Sequence, residues 1–328
     1  MTKALLVGDV HLSDKAPINR QATYKDDILD KLRFCVTLAN ELNVPIVQAG
    51  DMFHLKRPDR NSHRLVQETH EVLKETKNGV WIVPGNHDMS HDRLDSLDSQ
   101  PLGALSRMSG MRFLLGYDSD LPNICGIPYL TEFDSSEPSP DEFVPTWGLA
   151  IQEFWEQYGT EPDGSCYNDL TVTHAPLFPP GKAPDVYNSI DPQEWRDFFS
   201  HDGPINTYYG HIHDLHGTYT VDEHQFCNQG ALSRGSLHES SVNRIPAVTL
   251  WDGVGFDRIE VPHKSADEVF LFEQAAKVAE NKISVVEFTK AVGTANLTYV
   301  TTDDILHYVK AAGTRKEVVS LIETILEG

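Results

Sequence analysis

Five strand-sized runs rich in Val, Ile, Leu and Tyr recur at Ala4–Val7, 44–48, 80–83, Leu170–Thr173 and 207–209, and each stops abruptly at a polar turn. Helical stretches separate them, and that alternation predicts an α/β domain. Tyr24–Leu42 places Ile28, Leu29, Leu32, Cys35, Val36, Ala39 and Leu42 on one stripe, and 62–76 does the same with Leu65, Val66, Val72 and Leu73. Both helices are expected to pack on the sheet. Further strands are expected at 112–115, Ile124–Ile127, 218–221, Ala247–Trp251 and 257–261, whereas 132–146, with Pro138, Pro140, Pro145 and several acids, reads as a surface loop.

The character of the chain changes near Pro262. Beyond it Ser265-x-x-Glu268, Ser284-x-x-Glu287, Thr301-x-x-Asp304 and Thr314-x-x-Glu317 each resemble a capping box, with Gly293 and Gly313 as stops. The expected organisation is a domain over 1–262 followed by a small helical region over 263–328, for which packing or an oligomer contact is the expected role. No apolar run approaches the roughly 20 residues that cross a bilayer, so no membrane span is expected. The polar N-terminus lacks the pattern of a signal peptide, which points to the cytoplasm. Cys35, Cys125, Cys166 and Cys227 lie far apart without a C-x-x-C pair and read as reduced packing residues.

The strand ends carry the chemistry. They bring Asp9 and His11 in Gly8-Asp9-Val10-His11, Asp51 in Gly50-Asp51, and Asn86 and His87 in Gly85-Asn86-His87-Asp88. The later ends add His174 in Thr173-His174-Ala175-Pro176, and His211 and His213 in Gly210-His211-Ile212-His213. In an α/β sheet the carboxyl ends of adjacent strands open onto one crevice, so residues far apart in sequence can converge there. Carboxylate, amide and imidazole donors without a thiolate suit Mn²⁺, Fe²⁺ or Zn²⁺ and do not suit a structural cysteine site. Asp9, His11, Asp51, Asn86, His174, His211 and His213 are too many for one ion; two ions sharing Asp51 would use them all. Two such cations acidify a shared water and neutralise charge on phosphoryl oxygens, which is the requirement of a phosphoester hydrolase. By spacing alone His87 could also be a ligand.

The series D-x-H, G-D, G-N-H-D, H and G-H-x-H, in that order, resembles the calcineurin-like metallophosphoesterase superfamily over about residues 3–262. The resemblance implies a two-sheet α/β/β/α sandwich. It also implies Asp9, His11, Asp51 and His213 around one ion, and Asp51, Asn86, His174 and His211 around the other, with Mn the expected metal. His87 would stand unligated beside them, stabilising the pentacoordinate phosphorus and protonating the leaving oxygen.

Residues 50–58, Gly50-Asp51-Met52-Phe53-His54-Leu55-Lys56-Arg57-Pro58, are further similar to the G-D-L-F-H-x-x-R-P stretch of SbcD-like DNA repair nucleases. Asn228-Gln229-Gly230-Ala231-Leu232-Ser233-Arg234 is similar to their N-P-G-S-x-x-R turn, with Gln229 and Ala231 as departures. This likeness implies that His54 orients substrate and that Arg57 or Arg234 contacts phosphate; the alternative is that the arginines cap or pack local turns. It favours a DNA nuclease working with an ATPase partner subunit, supported by the cluster Lys56, Arg57, Arg60 and Arg64. The net charge of −22 opposes a broad DNA-coating face and leaves a phosphodiesterase for cyclic nucleotides or similar small esters as the alternative. A catalytically dead scaffold would require the metal site to be lost, yet every expected ligand is present.

Overall fold

A computed structural model of the chain describes residues 2–135, 139, 141, 144–158, 169–184, 188–199 and 206–273. The chain divides into two units, Met1–Leu271 and Phe272–Gly328. Beyond Glu273 the expected tail helices, with their capping boxes at Ser284, Thr301 and Thr314, lie outside the described residues. The first of the four boxes is present: the Ser265 side chain and the Glu268 carboxylate cap each other's backbone ahead of Ala266–Val269.

In chain order the first half runs β1 (Ala4–Val7), α1 (Tyr24–Leu42), β2 (Ile46–Gln48), α2 (His63–Leu73), β3 (Val80–Ile82), α3 (Pro101–Ser109), β4 (Arg112–Phe113), β5 (Gly116–Tyr117) and β6 (Ile124–Ile127). There follow α4 (Thr146–Tyr158), β7 (Leu170–Thr173), α5 (Pro192–Phe199), β8 (Asn206–Tyr209), β9 (Gly217–Val221), β10 (His224–Asn228), α6 (Glu239–Val242), β11 (Ala247–Trp251), β12 (Phe256–Glu260) and α7 (Ala266–Val269). Two six-stranded sheets result, ordered β12-β11-β1-β2-β3-β4 and β5-β6-β7-β8-β10-β9. The central strands β1, β2 and β3 are parallel, as are β6, β7, β8 and β10.

Why these runs read as continuous apolar segments is visible in the packing. Leu5, Val7, Ile46, Val80 and Ile82 join the core formed with Ile28, Leu32, Leu65 and Val72 of α1 and α2. Their neighbours Ala4, Leu6, Val47 and Trp81 join a second core with Leu170, Val172, Tyr208 and Cys227 of the other sheet. Each central strand is thus buried on both faces, helices outside and the facing sheet inside, which is the expected α/β/β/α sandwich. Full burial of one such Leu or Val contributes about 1.5–3 kcal/mol.

Helix α2 starts where Ser62 Oγ accepts the Leu65 N–H at 3.0 Å, a cap worth about 1 kcal/mol. It ends at Leu73, short of Thr76. Strand β2 begins only at Ile46, because the Val44 N–H is spent on the Ala39 carbonyl at the end of α1 and Pro45 has none to give. The segment read as a surface loop opens with a 3-10 turn at Thr131–Asp134, because Phe133 is buried against the rings of Tyr129 and Trp195. At its far end Thr146 already begins α4.

Candidate metal centre

Because β1, β2 and β3 run parallel in one sheet and β6, β7 and β8 in the other, their C-terminal loops gather at one edge of the sandwich. Main-chain bonds join the loops: Val10 and His11 N–H donate to the Asp51 carbonyl at 3.1 and 2.9 Å, and Leu232 N–H donates to the Asp9 carbonyl at 2.8 Å. His11 and Asp51 both adopt left-handed backbone, with φ of 51° and 56°. For residues with a Cβ this costs about 1–3 kcal/mol each and persists only where the surroundings enforce it. Gly50, at φ 98°, has the His174 imidazole where a Cβ would stand, so this close approach requires glycine.

The side chains converge. One potential ligand atom from each of Asp9, His11, Asp51 and His213 lies within 4.8 Å of the others. His11 Nε2 is 2.7 Å from His213 Nε2 and 3.6 Å from Asp51 Oδ2. On the other side of Asp51, His174 Nε2 stands 3.4 Å from Oδ2 and 3.9 Å from Asp9 Oδ1. The His211 ring lies 5.2 Å from the His174 ring, centroid to centroid, and the His211 backbone N–H donates to Asp9 Oδ1 at 3.0 Å. Asn86 sits between Gly85, whose own Cβ position is filled by Asp51 and His174, and His87, whose N–H donates to Asp51 Oδ1 at 2.8 Å. Six of the seven candidate ligands are thus linked by these short distances around Asp51, and Asn86 lies in the adjoining turn.

Cations fit this donor set. Asp9 Oδ2, Asn86 Oδ1 and His174 Nε2 are buried without a hydrogen-bond partner. An unsatisfied buried polar atom costs about 1–3 kcal/mol, and a bound cation would offset it at all three. His174 Nδ1 donates to the Ala49 carbonyl at 2.6 Å, since a carbonyl can only accept; Nε2 is therefore the nitrogen that faces the centre, and a cation bound there would displace its proton.

The titration of the cluster follows from burial against mutual attraction. Burial would raise the Asp51 carboxyl, but the imidazoles of His174, His11 and His87 outweigh it and hold Asp51 well below the usual carboxylate range. Burial would lower His174, but the Asp51 and Asp9 carboxylates outweigh it and bring it up to about 9. His211 is pushed down to about 3 by burial and by the adjacent His174. Burial also raises Asp9 against the pull of His174 and His213.

His87 and His54 form a second group with His11, with ligand atoms within 4.8 Å of one another. His87 Nδ1 donates to the His54 carbonyl at 2.6 Å, which fixes the ring and leaves Nε2 for chemistry. The His54 and His87 rings stack at 5.8 Å. The arginines are placed differently. Arg57 is exposed and forms a fork on Asp59 at 3.0 and 2.9 Å. Arg234, 2% exposed, points inward and donates to the carbonyls of Val242 and Lys264, the local packing arrangement. Lys56 and Arg64 are paired with Asp92 and Glu68.

Sequence reasoning assigned no role to Tyr129, Gln48 or Asn228. Tyr129 follows β6 and stacks on His211 with ring centroids 5.6 Å apart; an aromatic residue after Pro128 gave no ligand signal. Gln48 binds the Gly8 and Gly50 carbonyls, and Asn228 Nδ2 binds those of Tyr209 and Ile212 at 3.0 Å each, so buried amides brace the ligand loops.

A two-sheet sandwich with clustered carboxylate, amide and imidazole donors at its strand ends has the donor set that metal-dependent hydrolases require. The calcineurin-like phosphoesterase family model matches residues 2–215, which include every candidate ligand, and the chain belongs to this family. It is also similar to the DNA double-strand break repair protein Mre11 of Methanocaldococcus jannaschii, 32% identical over 84 residues. That alignment covers 24% of this chain and 23% of the archaeal protein. No helix among the described residues is long and apolar enough to cross a membrane.

Proposed function

We propose that the enzyme is a phosphodiesterase that binds two divalent ions, manganese first among them, and cleaves DNA as the catalytic partner of an ATPase subunit. The observation that carries the nuclease reading is His54: the residue that marks the stretch 50–58 as nuclease-like stands against both His87 and His11. The local likeness to Mre11 supports the same substrate class.

In this reading Asp9, His11, Asp51 and His213 hold one ion, and Asp51, Asn86, His174 and His211 the other. When bound, the ions supply positive charge for phosphoryl oxygens and acidify water at neutral pH. The protein's own groups do the rest. His54 orients the phosphodiester, and His87, held by its Nδ1–H, delivers a proton from Nε2 to the leaving oxygen. Tyr129 braces His211 and excludes water from one wall.

A second reading, a small phosphodiester substrate, is favoured by the pairing of Lys56, Arg57 and Arg64 with acids, which leaves less free positive charge for a nucleic-acid track. Assay of manganese-loaded enzyme on single- and double-stranded DNA, cyclic nucleotides and bis-p-nitrophenyl phosphate separates the two. DNA cleavage supports the nuclease; turnover of the small esters with intact DNA replaces it with the second reading.

A further inference from the structure

We propose that Asp88 is a positioning residue that fixes the backbone of Asp51; its role in catalysis rests on the reading of Asp51 as the shared metal ligand. Asp88 is 2% exposed and carries the last position of Gly85-Asn86-His87-Asp88. Its Oδ2 accepts N–H from Asp51 at 2.8 Å and from Gly85 at 3.0 Å, and its Oδ1 accepts from Met52 at 3.1 Å and Phe53 at 3.5 Å. One carboxylate thereby gathers main-chain donors from two loops that are 34 positions apart at Asp51 and Gly85. The same turn also reaches the Asp51 side chain, through His87 N–H.

This arrangement answers why a non-glycine residue sits at φ 56° in the middle of the site. The Asp51 carbonyl is taken by the N–H groups of Val10 and His11, and its N–H by Asp88, so the peptide groups on both sides of the strained Cα are fixed. The Asp51 carboxylate then has one direction, between His11 and His174. Asparagine at 88 would keep the size but offer one acceptor oxygen in place of two, and would turn an NH₂ donor towards N–H donors.

The test compares wild type with Asp88→Asn and Asp88→Glu, and with the cavity variant Leu102→Ala in α3 as a control for stability alone. Amide hydrogen exchange of metal-stripped protein reads the proposal without any metal. Protection at Asp51, Met52 and Gly85 should fall more than about tenfold in Asp88→Asn while the rest of the sheet keeps its protection. On manganese loading, affinity and kcat should each fall about tenfold or more, with KM little changed. Asp88→Glu retains the acceptors and should lie between, and it decides the matter if Asp88→Asn does not fold. Unchanged protection at the three amides, or losses no larger than those of Leu102→Ala at equal stability, would overturn the proposal. Failure of wild type to bind manganese strikes the metal reading instead, and leaves the exchange result to judge Asp88.

Discussion

Loading metal into stripped protein should release close to one proton near pH 7.5, and His174 should be its source. The carboxylates of Asp51 and Asp9 outweigh burial and bring His174 up to about 9, so at pH 7.5 it is mostly protonated. A metal ligand must present a lone pair, so binding displaces that proton. His211, pushed down to about 3, and His11, held well below the usual histidine range by burial and by His213, are already neutral and release nothing. Asp9, raised by burial, adds to the count only as pH falls. Affinity should therefore rise about tenfold per pH unit up to about 9 and then level off.

The sign for stability is opposite. A histidine whose folded pKa is raised lends its full stabilisation below pH 6.5 and loses it as pH climbs through about 9, so stripped protein should weaken over that window by on the order of 3 kcal/mol. The depressed Asp51 carboxyl is the same attraction seen from its partner and adds nothing further. Calorimetric titration with Mn²⁺ in Hepes and in Tris reads the proton count from the difference in observed enthalpy. Equal enthalpies in the two buffers would refute the charge assignment, and His174→Ala should abolish the difference.

Other perturbations separate the roles. His87→Ala should keep its metals by elemental analysis yet lose turnover by about 10² or more, and retained activity would remove the proton-donor assignment. Asp51→Asn should weaken both metal sites together, read as a drop in bound manganese at fixed free metal; loss of one ion alone would contradict a shared ligand. Away from the site, Asp27 accepts from Arg20 at 3.2 Å and Lys31 at 3.1 Å with all three side chains buried. Asp27→Ala strands two buried cations, and urea unfolding should show a loss of about 3–5 kcal/mol; a loss under about 1 would mean that water reaches them.

The parts of the fold most legible in the sequence were those whose signal is local. α1 runs over the expected Tyr24–Leu42 because its stripe repeats for five turns, β7 and β11 match their expected bounds because apolar runs end there at polar residues, and β6 matches because Pro128 stops it. Strand β10, His224–Asn228, gave no signal, since its polar residues are held by antiparallel pairing with β9 and parallel pairing with β8. Helices α3, α4 and α5 were also passed over; Trp147 and Trp195 stack on one another, a contact that periodicity does not reveal. In the site, ligand types at strand ends were readable, and the side chains of Asp9, His11, Asp51 and His213 lie together. The inward turn of Arg234 and the pairing of Arg57 with Asp59 depend on neighbours that spacing does not supply. Asp88 could be read as a motif residue but not as a clasp, because its partners are main-chain N–H groups and leave no trace in side-chain identity.

Anomalous scattering from crystals grown with Mn²⁺, paired with elemental analysis of the same protein, tests the centre most directly. Two manganese peaks about 3.5–4 Å apart with the Asp51 carboxylate between them is the predicted result. One peak away from Asp51, or a cleft without manganese at saturating concentration, would contradict it.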